Sequence, residues 1–167
     1  MSFAVWLTGL SGSGKSAIAR ELVRLLHERG IDVSVLESDV MRTQLTPFPR
    51  YDAADRDFFY GALGDIGVLL VRSQRPVLFD ATANRRAYRD AARTRIERFA
   101  EVYVDTPLEV CAARDPKGLY RSAQTLPGVQ THYESPLAPE FVVQGGTGTP
   151  LDAARKVVAF LEERGWV

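Results

Sequence analysis

Short apolar runs alternate with amphipathic segments along the whole chain. Five of these runs have the length and the β-branched or aromatic content of buried strands. They cover residues 3–8, 33–37, 76–80, 101–104 and 141–143. Strands that alternate with helical segments are typical of βα units with a parallel sheet. The pattern therefore predicts an α/β fold.

Amphipathic helices are predicted between these strands. The first follows residue 16 and stops at Gly30, a residue that suits a helix C-terminus. The second lies within residues 52–73, where one face is apolar. A third is marked by apolar residues at helical spacing, which are Tyr88, Ala92, Ile96 and Phe99.

Two further helix starts share one local pattern. A threonine is followed by a proline, and an acidic residue comes three positions after the threonine. The two pairs are Thr106 with Glu109 and Thr149 with Asp152. Threonine is a good N-cap, proline fits the first turn, and the acidic side chain can reach back to the cap. Helices are predicted from both points, the second being C-terminal.

Two segments show little periodicity. Residues 46–51 contain two prolines and are predicted to form a loop. Residues 114–140 contain four prolines and two glycines. A structureless segment of that length in so small a domain is usually functional. We therefore expect residues from about 114 to about 140 to form a lid over a ligand.

Residues 9–16 read Gly-Leu-Ser-Gly-Ser-Gly-Lys-Ser and follow the first predicted strand directly. This is a complete G-x-x-x-x-G-K-[ST] phosphate-binding loop in its required strand-to-helix context. Its glycines let backbone N–H groups face phosphate oxygens, the lysine supplies positive charge, and the last hydroxyl can ligate Mg²⁺. Nucleoside triphosphate binding is predicted, with Lys15 also catalytic and Ser16 the metal ligand. The binding residues are Gly9, Ser11, Gly12, Ser13, Gly14, Lys15 and Ser16.

Two carboxylates stand where parallel strands end, the edge at which such sheets bind ligands. Asp39 follows the second predicted strand and Asp80 ends the third. Both are expected to project towards the phosphates beside Lys15. One could accept a proton from an attacking hydroxyl while the other holds Mg²⁺ through water. The alternative is that each is a helix N-cap, a common role for aspartate at such turns.

Arginines form a second group of candidates. Their guanidinium groups suit bidentate binding of a transferred phosphoryl group, although most surface arginines are simply solvated. The candidates are Arg42, Arg56, Arg85, Arg86, Arg114 and Arg121.

Length and composition narrow the function classes. The 167 residues, 46% of them hydrophobic, fit a single domain over residues 1–167. The 21 basic residues balance 21 acidic ones, so a small-molecule substrate is favoured over nucleic acid. Cys111 is the single cysteine, which excludes an internal disulfide, and it is expected to pack as a small hydrophobe. Neither a membrane span nor a signal peptide is recognisable, so a cytoplasmic location is expected.

Several motifs together resemble those of adenylylsulfate kinases, and the resemblance runs nearly from end to end. Besides residues 9–16, they are Leu-Glu-Ser-Asp-Val-Met-Arg at 36–42, Asp-Arg at 55–56, Phe-Ala-Glu-Val-Tyr-Val at 99–104 and Pro-Leu-Glu-Val-Cys at 107–111. The most specific motif is Arg-Asp-Pro-Lys-Gly-Leu-Tyr at 114–120, followed by Tyr-Glu-Ser-Pro at 133–136. In that family this region forms a mobile lid over both substrates.

The resemblance implies a three-layer P-loop kinase fold, with a five-stranded parallel sheet, helices on both faces and a lid segment. It implies Mg²⁺-dependent transfer of the γ-phosphoryl group of ATP to the 3′-hydroxyl of adenylyl sulfate, a step of sulfate assimilation, usually by a homodimer. By position, Asp39 would lie near the acceptor hydroxyl and Arg114 would bind ATP. The residues expected to bind the acceptor are Asp39, Arg42, Arg56, Lys117 and Leu119.

The chain departs from the family pattern on the acceptor side. Val40 replaces a polar neighbour of Asp39, and Phe59 replaces an acceptor-binding asparagine. Leu126 begins a Leu-Pro-Gly segment where the family has Phe-Thr-Gly against the acceptor adenine. Ala83 stands at the position of a serine described as a phosphorylated intermediate, so no phosphoenzyme of that type is expected.

Two alternatives to an adenylylsulfate kinase stay open. The same fold could phosphorylate a different small hydroxylated or nucleotide-like acceptor, in keeping with the changes on the acceptor side. The chain could also be a nucleotide-binding regulatory pseudokinase, against which the intact Lys15, Ser16 and Asp39 argue. The favoured prediction is an adenylylsulfate kinase.

Overall fold

In the computed structural model, the described residues are 2–115, 118–122 and 132–167. Within them five parallel strands form one sheet in the order second, third, first, fourth and fifth. All five predicted strands are confirmed with small shifts at their ends. Their bounds are β1 Ala4–Thr8, β2 Ser34–Glu37, β3 Val77–Asp80, β4 Phe99–Asp105 and β5 Phe141–Gln144.

Helices connect these strands. Their bounds are α1 Lys15–His27, α2 Ser38–Leu45, α3 Ala53–Arg72, α4 Arg86–Arg93, α5 Leu108–Arg114, α6 Leu119–Ser122 and α7 Pro150–Glu163.

The helices cover both faces of the sheet and give the predicted three layers. Successive side chains of a strand point to opposite faces. In β1, Val5 and Leu7 pack in one core with α1 and α7, while Ala4 and Trp6 pack in the other with α3 and α4. Because β1 is buried along its whole length, the loop that follows it leaves the sheet from the centre of the molecule.

The C-terminal capping box is confirmed. Thr149 is the N-cap of α7, its hydroxyl accepts the backbone N–H of Asp152 at 3.1 Å, and the Asp152 carboxylate accepts the N–H of Thr149 at 3.3 Å. The helix predicted to follow Thr106 is confirmed as α5, but the predicted threonine cap is wrong. Pro107 is the N-cap of α5, and the Thr106 hydroxyl instead donates to the carbonyl oxygen of Ser13 at 2.9 Å.

Two further boundaries differ from the predictions. The third predicted helix ends at Arg93 rather than continuing to Phe99, which is the first residue of β4. Strand pairing with β1 therefore overrides the helical spacing of these apolar residues. Helix α2 was not predicted, because its four-residue spacing of Met41 and Leu45 is too short to show a period.

Among the described residues, no helix has the length and apolar character needed to cross a bilayer.

Candidate active site

The phosphate-binding loop, residues 9–16, leaves β1 and runs into α1 as predicted. Gly9 has a φ of +150°, and a Cβ there would lie 2.6 Å from the carbonyl oxygen of Val104. Gly12 has a φ of +77°, and a Cβ there would lie 2.8 Å from the carbonyl oxygen of Cys111. The loop is thus wedged between β4 and α5, and only glycine fits at these two positions.

Lys15 is the first residue of α1, and its side chain turns back over this loop. The ammonium group donates to the carbonyl oxygens of Gly9 at 2.8 Å and Leu10 at 2.7 Å. The helix begins without a side-chain cap and without an acidic residue in its first turn. Its first N–H groups and its positive dipole end therefore favour an anion such as a phosphate. Ser16 follows in the same turn and is partly exposed.

Side chains from α5 and α6 bind the outer side of the loop. Arg114, the last residue of α5, lies with its Nη1 3.3 Å from the carbonyl oxygen of Gly12. The Tyr120 hydroxyl donates to the carbonyl oxygen of Ser11 at 2.7 Å. Burial raises the pKa of Tyr120 to about 12, so this hydroxyl keeps its proton at physiological pH. Arg114 therefore lies beside the phosphate-binding loop, and its binding of ATP stays a prediction.

The two candidate carboxylates stand at the carboxyl edge of the sheet. Asp80 is the last residue of β3, pairs with Leu7 of β1 and Glu37 of β2, and is buried. Asp39 lies in the first turn of α2 and is exposed. Neither is a helix N-cap, since Glu37 caps α2 and Arg85 caps α4. The alternative that Asp39 and Asp80 are helix N-caps is therefore wrong.

Arg42 belongs to a cluster that we call the Arg42 cluster, made of Arg42, Tyr51, Asp55 and Phe59. The guanidinium group lies 3.3 Å from a carboxylate oxygen of Asp55 and 3.9 Å from the ring centroid of Phe59. It also lies 5.0 Å from the ring centroid of Tyr51. Arg42 is on the same helix as Asp39, three residues on, so both share one side of α2.

The other predicted acceptor residues divide into described and undescribed ones. Arg56 is buried on α3, three residues before the fully buried Phe59. Val40 is 56% exposed on α2, so it is not part of the core. Leu119 begins α6, and its side chain is not described. Lys117 and Leu126 lie outside the described residues.

Residues 132–140, which we call the return segment, are the last part of the predicted lid and contact the sheet. The Tyr133 hydroxyl lies 2.9 Å from Oγ1 of Thr8, the residue before the phosphate-binding loop. Burial raises the pKa of Tyr133 well above its ordinary value, so its hydroxyl stays neutral. Tyr133 therefore ties the end of the predicted lid to the start of the phosphate-binding loop.

A buried ionic network holds the return segment against the sheet. Arg89 is fully buried, and its Nε lies 2.5 Å from a carboxylate oxygen of Glu101 on β4. Its two terminal nitrogens donate to the carbonyl oxygens of Ala83 and Glu134, the latter at 2.7 Å. Arg93 bridges Glu101 and Glu140. The network joins α4, β4 and the return segment.

The remaining candidate arginines have surface contacts. Arg85 is about half exposed and lies 3.2 Å from Asp57, and Arg86 donates to the carbonyl oxygen of Ser135 at 3.0 Å. Arg121 is 84% exposed. Among the described residues, no group of three or more histidine, cysteine, aspartate or glutamate side chains could hold a metal ion.

The fold and this edge define the class of the protein. A phosphate-binding loop between β1 and α1, an aspartate just after β2, another at the end of β3, and arginines on α2 and α3 are the parts of a P-loop kinase.

Comparisons with known proteins agree with this class. Residues 1–144 match the family model described as Adenylylsulphate kinase. The adenylyl-sulfate kinase of Rippkaea orientalis is 38% identical over 98% of this chain and 93% of its own length. The solved structure of Mycobacterium tuberculosis APS kinase in complex with AMPPNP and APS superposes with a TM-score of 0.90 at 34% identity, covering 96% of this chain and 98% of that one.

A third comparison concerns assembly. The hexameric APS kinase from Thiobacillus denitrificans has a TM-score of 0.76 and 26% identity, and the match covers 100% of this chain and 30% of that one. The chain belongs to the adenylylsulphate kinase family, whose reaction is the ATP-dependent phosphorylation of adenylyl sulfate. The predicted family, fold class and enzyme class, a kinase phosphotransferase, are therefore confirmed.

Some contacts of the site were not predicted. Tyr120 and Tyr133 belong to the family-like motifs, but their role in binding the phosphate-binding loop and Thr8 becomes visible only in three dimensions. Asn84 and Arg89 carried no sequence signal, since a single buried polar residue has no pattern. The structure shows that both are buried and that both contact the return segment.

Proposed function

We propose that the chain transfers the γ-phosphoryl group of Mg²⁺-ATP to the 3′-hydroxyl of adenylyl sulfate, giving 3′-phosphoadenylyl sulfate and ADP. The observation that supports it best is that Asp39 lies on one side of α2 together with Arg42 and its cluster, while Lys15 and Asp80 lie on the side of the phosphate-binding loop. Donor and acceptor would then meet at the carboxyl edge of the sheet.

Each side of the site has its own task in this proposal. Lys15, the N–H groups of residues 9–16 and Arg114 bind the phosphates of ATP. Arg42 and Arg56 bind the acceptor, and Lys117 and Leu119 of the lid complete the acceptor-binding site. Asp39 accepts the proton of the 3′-hydroxyl. The oxygen of that hydroxyl forms a bond to the γ-phosphorus while the bond between the γ-phosphorus and the β-phosphate oxygen breaks, which releases ADP.

The donor set suits Mg²⁺, which prefers oxygen ligands and keeps several waters. The Ser16 hydroxyl and, through water, the Asp80 carboxylate are the residues that would hold it. When bound, the ion neutralises charge on the β- and γ-phosphate oxygens.

Ala83 predicts a direct transfer without a phosphoenzyme. It has no hydroxyl, and it is fully buried. Incubation with ATP labelled in the γ-phosphate, without an acceptor, is expected to leave the denatured protein unlabelled. Stoichiometric label that is chased into product by adenylyl sulfate would contradict this.

The deciding experiment measures ADP release by the purified protein with and without adenylyl sulfate, and identifies the product by mass spectrometry. Strong stimulation with formation of 3′-phosphoadenylyl sulfate is expected, and Lys15→Ala is expected to abolish it. A panel of other nucleotides and hydroxylated metabolites tests the second candidate, a kinase for a different acceptor. That candidate draws support from the aromatic Phe59 under Arg42 and from the exposed Val40.

We further propose a homodimer, the predicted assembly, as the functional form. Light scattering on the purified protein tests it, and a monomeric or hexameric mass would contradict it.

A further inference from the structure

Asn84 carries a buried polar atom that its surroundings do not satisfy. It lies between β3 and α4 and is 5% exposed. In the part of the chain that the structure describes, its carboxamide oxygen has no hydrogen-bond partner. Its Nδ2 lies 3.3 Å from the carbonyl oxygen of His132, so the opposite amide orientation would set two oxygens against each other. Buried acceptors without a donor are rare in native proteins and need an explanation.

The backbone around Asn84 places it between the two halves of the site. The Thr82 carbonyl accepts a hydrogen bond from Oγ1 of Thr8, directly before the phosphate-binding loop, at 2.7 Å. The N–H of Ala83 donates to the Tyr60 hydroxyl on α3, the helix that carries Arg56. The turn before Asn84 is therefore bound to both parts of the proposed site. Thr82 binds it to Thr8 beside the phosphate-binding loop, and Ala83 binds it to α3.

The return segment is in contact with Asn84 as well. The N–H of Glu134 donates to the backbone carbonyl of Asn84 at 2.8 Å, and His132 accepts from its side chain. The return segment thus binds both the backbone carbonyl and the side-chain amide of Asn84.

The other two buried, unpartnered side-chain atoms of the described residues have a different setting. Ser2 precedes β1 and so lies at the opposite, amino edge of the sheet. The unpartnered oxygen of Asp115 lies 3.5 Å from the charged Nε of Arg121. Of these three residues, Asn84 alone meets two conditions. It lies beyond the carboxyl end of a strand, and its unpartnered oxygen is not near a positive charge of an ion pair.

We propose that Asn84 is a specificity-determining residue for the acceptor, and that its Oδ1 accepts a hydrogen bond from an N–H or O–H group of the acceptor nucleotide. This rests on the proposed function. The amide nitrogen already donates one of its N–H groups to His132, so the oxygen is the atom of this side chain that has no partner. Adenylyl sulfate has suitable donors in its 6-amino group and its ribose hydroxyls. An acceptor that lacks the donor leaves the oxygen unpaired and is rejected.

The test uses Asn84→Ala and Asn84→Leu, the second of which keeps the side-chain volume without polar atoms. Both are expected to raise the KM for adenylyl sulfate by about 10-fold or more while the KM for ATP changes less than about 2-fold. Gln144→Ala removes an exposed carboxamide at the end of β5 and serves as the matched control, with unchanged constants. Stabilisation against heat by AMPPNP reports that each variant is folded.

Substrate analogues separate direct contact from a structural role. The inosine counterpart of adenylyl sulfate lacks the 6-amino donor, and the 2′-deoxy counterpart lacks the 2′-hydroxyl donor. The wild-type protein is expected to discriminate against one of them, and the Asn84 variants are expected to lose that discrimination. A structural role would weaken all three acceptors equally and leave the ratios unchanged, which would overturn the proposal.

The outcomes also separate this inference from the proposed function. Wild-type protein that does not turn over adenylyl sulfate contradicts the proposed function itself. Normal wild-type turnover with an unchanged KM in both Asn84 variants contradicts the role of Asn84 alone, and so does a failure of both variants to fold.

Discussion

The hydroxyl group of Tyr60 accepts a hydrogen bond from the backbone N–H of Ala83 at 3.2 Å. Ala83 has a φ of +44°, a left-handed conformation that is costly for alanine, and it is fully buried. Arg89 binds its carbonyl oxygen from the other side. The two side chains together hold the turn that leads from β3 to Asn84.

Removing the Tyr60 hydroxyl should therefore weaken the fold measurably. Tyr60→Phe leaves the N–H of Ala83 buried without a partner, and we expect the free energy of unfolding to fall by about 1–3 kcal/mol. Equilibrium unfolding in urea measures it. Tyr88→Phe is the matched control, because its ring stacks on that of Tyr60 at 4.8 Å but its hydroxyl donates to the exposed Asp57.

We expect the Tyr88→Phe control to cost less than about 1 kcal/mol, since an exposed hydroxyl regains water. Equal losses in the two variants would show that the Tyr60 hydroxyl does not support Ala83.

The buried Arg89–Glu101 pair predicts a larger loss of stability. Both side chains are at most 5% exposed, so removing Arg89 leaves the buried Glu101 carboxylate with Arg93 as its remaining ion pair and takes the donor from the carbonyl oxygens of Ala83 and Glu134. We expect Arg89→Met to lower the free energy of unfolding by about 3–5 kcal/mol. Arg95→Met removes a similar pair with Asp65 at the surface and should cost no more than about 1 kcal/mol. A small effect at Arg89, measured in the same denaturant titration, would contradict this prediction.

The strands and the phosphate-binding loop could be predicted because their signals are local. An apolar run fixes a buried strand, and the sequence of residues 9–16 fixes its own backbone. The predicted cap at Thr106 and the predicted helix up to Phe99 were wrong because tertiary contacts override the local pattern at both positions. Thr106 donates to the phosphate-binding loop instead of capping α5, and Phe99 pairs with Ala4 in the sheet.

The acceptor side shows the limit of sequence reasoning most clearly. The sequence marks Arg42 as a binding residue, and the structure adds that Asp55 and Phe59 contact its guanidinium group. Asp55 and Phe59 lie 13 and 17 positions after Arg42 in the sequence, and a loop separates them from it. No periodic pattern records such contacts, because they depend on how α2 packs against α3.

Cys111 is expected to be unreactive in the folded protein. Its side chain is fully buried, its Sγ lies 3.7 Å from the carbonyl oxygen of Thr106, and burial raises the pKa of the thiol. At a pH below the thiol pKa, a raised pKa means a smaller fraction of the reactive thiolate than in the unfolded chain. Alkylation by iodoacetamide at pH 8, followed by mass spectrometry, should be at least about 10-fold slower in the native protein than in guanidinium chloride. Similar rates would show that Cys111 is accessible in solution.

Asp39→Asn tests the proton acceptor, because the amide cannot take the proton of the 3′-hydroxyl. We expect kcat with adenylyl sulfate to fall by about 10²–10⁴-fold while the dissociation constant for ATP changes less than about 2-fold. Asp32→Asn is the matched control, since Asp32 precedes β2 at the other edge of the sheet and contacts the exposed His27. That variant should retain full turnover. If Asp39→Asn also retained it, the proton would have to go elsewhere, and Asp80, at the end of the neighbouring strand β3, would be the carboxylate to change next.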